Sequence, residues 1–330
     1  MRKLSIILFV SFLFSTGKYG DSFLKIGTSA RDIGIGQAIV ADMGNASGAN
    51  VNPASIFGLS SRTLYLLIVN QYGLAEFYSG GIVLPLKNDK YASFNLSGLF
   101  VDNIEYRPDL IDISSIEQRR DIIRDLFAQG YNSFNNVETA FTTTFVKRFN
   151  GQINMGFSYI KYEMPIGINT RLFKKKLHKK EAYGIGFDIG GIYSMGLGDI
   201  FNYNWMGKFG FGISMNNIYG THLVWSNDLK DIIPMQVISG ISYEQSIKFL
   251  SSKILVLSQK NNLFPNQLQV GMEITILDDL FLRIGNQNGL IQGGLGFATR
   301  ITKPSKLRID YSFGGHDLGD AHRLGFELKF

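Results

Sequence analysis

"HRLGFELKF", residues 322–330, is the stretch on which the reading of the whole chain turns. Leu324, Phe326, Leu328 and Phe330 alternate with Arg323, Gly325, Glu327 and Lys329. A period of two puts the bulky apolar side chains on one face of a strand and the small or charged ones on the other. In a soluble sandwich the apolar face would meet a dry core. In an outer-membrane barrel it would meet lipid, with the charged face turned to the lumen. One strand is compatible with either, so the choice falls to the segments before it.

The same alternation recurs almost continuously after residue 60. "QLQVGMEITI" (267–276) sets Leu268, Val270, Met272, Ile274 and Ile276 against Gln267, Gln269, Gly271, Glu273 and Thr275. "KLRIDYSFG" (306–314) sets Leu307, Ile309, Tyr311 and Phe313 against Arg308, Asp310 and Ser312, and "ASFNLSGLF" (92–100) sets Phe94, Leu96 and Phe100 against Ser93, Asn95 and Ser97. Mid-strand charges such as Glu273, Arg308, Asp310, Arg323 and Glu327 suit a wet or ion-paired lumen, and equally the solvent face of a sandwich. The pattern predicts about fourteen strands, at 62–71, 74–86, 90–106, 136–149, 152–164, 181–196, 205–218, 233–249, 251–260, 266–277, 279–286, 291–301, 306–315 and 321–330. Most are long enough to cross a bilayer at a tilt. With the N-terminus periplasmic, the turns "LKND", "FNGQ", "LDD" and "TKPS" fall at the inner end. The long insertions at 107–135, 165–180 and 219–232 all fall at the outer end, which is the asymmetry of outer-membrane barrels. The expected fold is all-β, an antiparallel transmembrane β-barrel over residues 61–330.

Composition agrees. The 330 residues contain 37 glycines and 26 phenylalanines but no cysteine, so disulfides and thiolate metal sites are excluded. The net charge of +6 is mild and locally concentrated, not a nucleic-acid signature, and no nucleic-acid partner is expected. No internal run approaches the length of a transmembrane helix. The opening "MRKLSIILFVSFLFSTG" has a basic start (Arg2, Lys3), an apolar run from Leu4 to Phe14 and small residues after it. Residues 1–17 therefore read as a secretory signal peptide, with Ser15 and Gly17 near a cleavage site that could lie as late as about residue 20.

Two insertions carry features of their own. "SSIEQRRDIIRDLF" (114–127) opens with a capping box, Ser114 to Glu117 or Ser115 to Gln118, and places Ile116, Ile123, Leu126 and Phe127 on one face of a helix. Such a helix is expected to pack on the barrel mouth as a lid, or else to be held for a partner. "RLFKKKLHKKEAY" (171–183) would gather Lys174, Lys175, Lys176, Lys179 and Lys180 with His178 at the outer mouth. There they would meet the phosphates of outer-leaflet lipid and lipopolysaccharide, or an acidic partner.

Residues 21–60 break the period. Small residues dominate, and Gly27, Gly34 and Gly36 allow turns and close backbone packing. The segment suits a plug lying inside the barrel. Its residues also carry a family resemblance: Phe23 to Gly27, Ala30 and Arg31, Gly34 and Gly36, and the turn Asn52-Pro53-Ala54. This opening resembles that of the PorV/PorQ family, relatives of the FadL-type transporters of hydrophobic compounds. The resemblance continues in "YGIGFDIGGIYSM" (183–195), "FGFGISMNNI" (209–218) and "LRIDYSFGGHDLGDAHRLGFELKF" (307–330). Ser55 departs from it, where glycine or alanine more often follows the alanine. The resemblance implies a fourteen-stranded outer-membrane barrel with an N-terminal plug. It also implies that Leu324, Phe326, Leu328 and Phe330 form the signal read by the barrel-assembly machinery, facing lipid and closing the barrel against the first strand.

Catalytic chemistry is not evident. The four histidines (His178, His222, His316, His322) lack metal spacing. "YGIGFDIGG" lacks the helix that a phosphate loop requires, so inward strand glycines in a crowded barrel account for it. Asp317, Asp320, His316 and His322 fit a turn with a lumenal salt bridge. No enzyme activity and no cofactor are expected. The resemblance implies a role in type IX secretion, with the outer loops binding secreted cargo or the translocon. The alternatives are a FadL-like channel for hydrophobic small molecules and a structural barrel in an envelope complex. Fold alone does not choose among them.

Overall fold

The computed structural model describes residues 22–71, 73–106, 108–130, 132–154, 159–203, 205–247, 251–316 and 319–330. The expected signal peptide lies outside the described residues, as do Asp317 and Leu318.

Strands β1 (Thr63–Gln71), β2 (Ala75–Leu86), β3 (Lys90–Glu105), β4 (Ser133–Asn154), β5 (Tyr159–Leu177), β6 (Lys180–Gly196) and β7 (Lys208–Asn216) form the first half of the wall. After them come the short β8 (Thr221–Trp225) and β9 (Lys230–Ile233). The second half is β10 (Gln236–Ile247), β11 (Ser252–Asn261), β12 (Leu268–Ile276), β13 (Leu280–Gln287), β14 (Leu290–Arg300), β15 (Lys306–His316) and β16 (Gly319–Lys329). Fourteen of the sixteen strands close an antiparallel ring, while β8 and β9 make a hairpin appended to β6. The ring closes between first and last strands, with Tyr65 opposite Glu327, Leu67 opposite Gly325 and Val69 opposite Arg323. A closed ring leaves no unpaired sheet edge.

Alternation sorts the two faces. Outward lie Leu64, Leu66 and Ile68 of β1, Ile185, Phe187 and Ile189 of β6, and Leu295 and Phe297 of β14, all exposed. An apolar belt around a whole ring far exceeds the few hundred Å² that soluble monomers expose, and it fits hydrocarbon as solvent. Inward lie Ser93, Asn95 and Ser97 of β3, Arg283 of β13 and Asp310 of β15, all buried. No described helix is long and apolar enough to cross a membrane.

Two connections differ from expectation. Residues 165–177 are not an outer loop but the continuation of β5, because the period of two holds through Ile166, Ile168, Thr170 and Leu172 outward and Asn169, Arg171, Phe173 and Lys175 inward. The "FNGQ" turn is likewise inside a strand, with Asn150 opposite Glu163 and Gln152 opposite Lys161. Sequence alternation cannot mark where a long strand turns when no Pro, Gly or Asn cluster interrupts it at the right place. The insertion at 219–232 holds the β8–β9 hairpin, whose Trp225 pairs with Ala182. The insertion at 107–135 does hold the expected helix, α2 (Ile116–Gln129), with Ser115 as N-cap accepting from the Gln118 amide. None of its residues is buried, so it is not a packed lid.

The space inside the ring is taken by residues 22–60. Ser22–Ile26 and Pro53–Ile56 are single 3₁₀ turns, and α1 (Ala30–Gly34) is one α-helical turn capped by Ser29. Backbone from Gly34 to Ala41 lies directly on inward glycines of successive strands. A Cβ at Gly271 would overlap the carbonyl oxygen of Ile35, one at Gly285 the amide of Gly36, and one at Gly212 the carbonyl of Val40. At Gly240 a Cβ would sit 2.6 Å from a Val40 methyl. Substituting Gly271 by Val should therefore displace this segment. Trypsin should then cut after Arg31 in the folded variant and not in the parent. Gly191→Ala, whose added carbon would meet its neighbours no closer than 3.5 Å, should leave the digestion pattern unchanged.

Candidate functional site

The site is the interior of the ring, and its centre is a cluster of charges. Arg31 on α1 meets Glu273 of β12 through two parallel bonds, Nε to Oε2 at 3.0 Å and Nη2 to Oε1 at 2.9 Å. Its Nη1 reaches Asp42 at 2.5 Å. Glu273 also accepts from Arg283 Nε at 2.5 Å, and Arg283 Nη1 continues to Asp310 at 2.8 Å. Asp310 accepts from Arg308 at 2.8 Å, and Arg308 from there reaches Glu327 at 2.8 Å. The chain of pairs runs from the inner segment across β12, β13 and β15 to β16. The fork of a guanidinium matches a carboxylate in two bonds at once, which fixes orientation as well as distance. Burial opposes the charge on Arg31, yet Asp42 and Glu273 hold its pKa above the ordinary guanidinium value; burial pushes the Asp42 carboxyl up, against the pull of Arg31.

A second polar knot stands beside this chain. Asp32, also buried, accepts from Asn45 Nδ2 at 2.8 Å and from Ser47 Oγ at 2.5 Å. Asn52 is wholly buried; its Oδ1 caps the turn by accepting from the Ala54 amide at 3.0 Å, and its Nδ2 donates to the Val40 carbonyl at 2.7 Å. Pro53 presses against Gly167 of β5 and Asn52 against Gly190 of β6. Gly34 lies against Gly294 of β14, and Gly36 takes the left-handed φ of 65° next to Asn286. Asn52, Pro53, Ala54, Gly34 and Gly36 thus stand in one continuous packing of segment on wall.

The lysines do not form one cluster. Lys175 points inward, pairs with Glu138 at 2.9 Å and lies over the Phe23 ring. Lys174 and Lys176 point outward on the same strand; Lys174 reaches Glu181 at 3.8 Å. Lys179 is in the turn and Lys180 begins β6. Strand alternation splits the run to opposite faces. Leu324, Phe326, Leu328 and Phe330 all lie on the outward side at the ring closure, and the Phe330 amide donates to the Arg62 carbonyl. His322 points outward too, stacked on Tyr311, and not into a lumenal pair. Among the described residues no group of three or more His, Asp or Glu side chains is arranged to hold a metal ion.

The inner segment divides the lumen. At the end where the long insertions lie, a cavity of about 230 Å³ is lined by residues that include Gln37, Asn50, Gln259, Gln267 and Gln269. At the end where β1 begins and β16 finishes, a second cavity of about 320 Å³ is lined by Arg31, Glu273, Thr275, Arg308 and Glu327 among others. The inward face of β12, with the residue before it, traces the whole path: Gln267 and Gln269 in the first cavity, Gly271 under the segment, Glu273 and Thr275 in the second. A third cavity, of about 400 Å³, is an apolar groove on the outer wall between β5, β6 and β7, where Gly191 leaves a gap beside Ile189, Phe211 and Ile213. Sequence reading named Glu273, Arg308 and Asp310 as inward charges but not Arg283, although "LFLRIGNQ" carries the same period and places it beside Glu273.

Replacing Arg31 by Met leaves Asp42 buried without its cation, with only the Asn45 amide still donating to it, a loss of about 3–5 kcal/mol for pairs of this kind. Lys174→Ala removes only an exposed pair that solvent screens. In detergent, the temperature at which the folded band converts to the unfolded one should fall clearly for the first variant and hardly for the second. Equal shifts would show that the buried cluster does not hold the segment.

No family model matches the chain, and no curated protein matches it. Solved structures similar to it include the toluene transporter TodX of P. putida, 8% identical over 92% of this chain and 96% of that one with a TM-score of 0.46. The monoaromatic hydrocarbon channel CymD is 8% identical over 92% and 97%, TM-score 0.47. A Pseudomonas aeruginosa FadL homologue is 8% identical over 92% and 98%, TM-score 0.42.

Proposed function

We propose that this chain is an outer-membrane channel for small molecules, plugged and gated by its own residues 22–60. The observation that carries this reading is the pair of cavities on one axis, separated only by a segment that is held by side chains rather than woven into the sheet. A scaffold barrel has no need of hollow space at both ends of its filling. The apolar belt is the surface that lipid and lipopolysaccharide would cover, and Leu324, Phe326, Leu328 and Phe330, outward at the closure, serve the barrel-assembly machinery during insertion. The exposed Lys174 and Lys176 then contact headgroups or a partner, while Lys175 is committed to the lumen.

One observation favours a second reading, the PorV-like one, in which the barrel binds translocon or secreted cargo in type IX secretion. Helix α2 stands at the outer end with Ile116 65% and Phe127 77% exposed. An amphipathic helix with a bare apolar face is suited to a protein groove.

Reconstitution into liposomes separates the two. Under the channel reading the purified barrel admits small uncharged solutes, read as swelling in a solute gradient, and Arg31→Met raises the rate by loosening the plug. Absence of swelling for every solute, in parent and variant alike, would end the channel reading. Co-purification of an envelope protein that is lost on Ile116→Ser/Phe127→Ser would then establish the docking one.

A further inference from the structure

The cavity at the outer end has a composition that the channel reading does not require. Eleven of its seventeen lining residues are asparagine or glutamine, and none is a carboxylate. Its cations are accounted for: Arg171 donates to Asp188 at 2.8 Å, and Lys25 sits over the Phe264 ring at 5.1 Å. The amides are chained to one another, with Gln259 Nε2 donating to Gln269 Oε1 at 2.6 Å and Gln37 Nε2 to Gln287 Oε1 at 3.2 Å. The chaining leaves groups unused. Asn50 Oδ1 accepts from Thr142 at 3.3 Å, but its Nδ2 is buried and donates to nothing.

We infer that this cavity is a binding site for a small neutral polyhydroxylated solute, a sugar ring or polyol. Carboxamides offer donor and acceptor together, as a hydroxyl does. A phosphate or carboxylate would ask for donors only, and for cations not already paired. A hydrocarbon would leave the amides desolvated without partners. Leu24, Val51, Ile238 and Phe264 supply the apolar patches against which the C–H faces of a ring can lie. The volume falls below the ~300–1,000 Å³ of sites for drug-sized ligands, in keeping with a single ring. The inference deepens the channel reading by naming what its outer vestibule recognises.

The test is direct binding to the full barrel, purified in a detergent without a sugar headgroup. D-glucose, N-acetyl-D-glucosamine and glycerol are titrated calorimetrically against toluene and decanoate. Saturable binding of at least one hydroxylated probe is expected, at least tenfold weaker in Gln269→Leu and in Gln267→Leu, each checked for its heat-modifiable folded band. Binding of the apolar probes alone would overturn the inference, as would no saturable binding of any hydroxylated probe, or sugar binding unchanged in both variants. The outcome is independent of flux. Sugar binding without liposome swelling would keep this site and sink the channel, whereas swelling without sugar binding would do the reverse.

Discussion

A fourteen-stranded ring encloses more space than its own inward side chains can fill. About eight strands is the size at which side chains alone close the middle. Here the excess is taken up by backbone, and backbone can approach a sheet closely only where the sheet has no side chains. Gly212, Gly240, Gly271, Gly285 and Gly294, on five strands, leave a bare track on which residues 34–41 lie. The remaining features of the interior follow from that contact. It sets the depth at which α1 sits, and therefore brings Arg31 within reach of Glu273.

The charges then settle orientation. A backbone laid on glycine is held by van der Waals contact, which is weakly directional. The paired bonds of Arg31 to Glu273 are not. Because Glu273 is shared with Arg283, and Arg283 with Asp310, the segment is referred to a rigid array spread across several strands. Buried pairs of this sort add less to net stability than their number suggests, since each ion is taken out of water. Their effect lies in specificity of placement, with the carboxyl and hydroxyl knot around Asp32 finishing the fit.

Much of the architecture was legible in the sequence, and the failures have physical reasons. Strands such as 267–276 and 306–315 announce themselves, because one face meets a medium that tolerates only apolar groups while the other meets a polar interior. The inward direction of Glu273 and Asp310 follows from the same period. The run of lysines within 165–180 reads as a solvated loop, yet residues 165–177 belong to β5, because every second lysine can face outward beyond the belt. The pairing of Arg31 with Glu273, separated by 242 positions, leaves no local trace in the chain. The amides of the outer cavity come from the inner segment and several strands; each alone is an ordinary polar residue, and only their convergence is informative. The turn at Asn52 is local and shows in the sequence, whereas its bonds to Val40 and Gly191 depend on the fold of the segment and the wall.

The glycine track also sets an order of events in assembly. The segment that lies on it precedes every strand of the wall in the chain, but the track is made from β7, β10, β12, β13 and β14. Until those strands have paired, their glycines do not share a surface. Contacts between residues so far apart in sequence are the slow ones to form. What is synthesised first is thus seated only after most of the wall, β7 through β14, has paired.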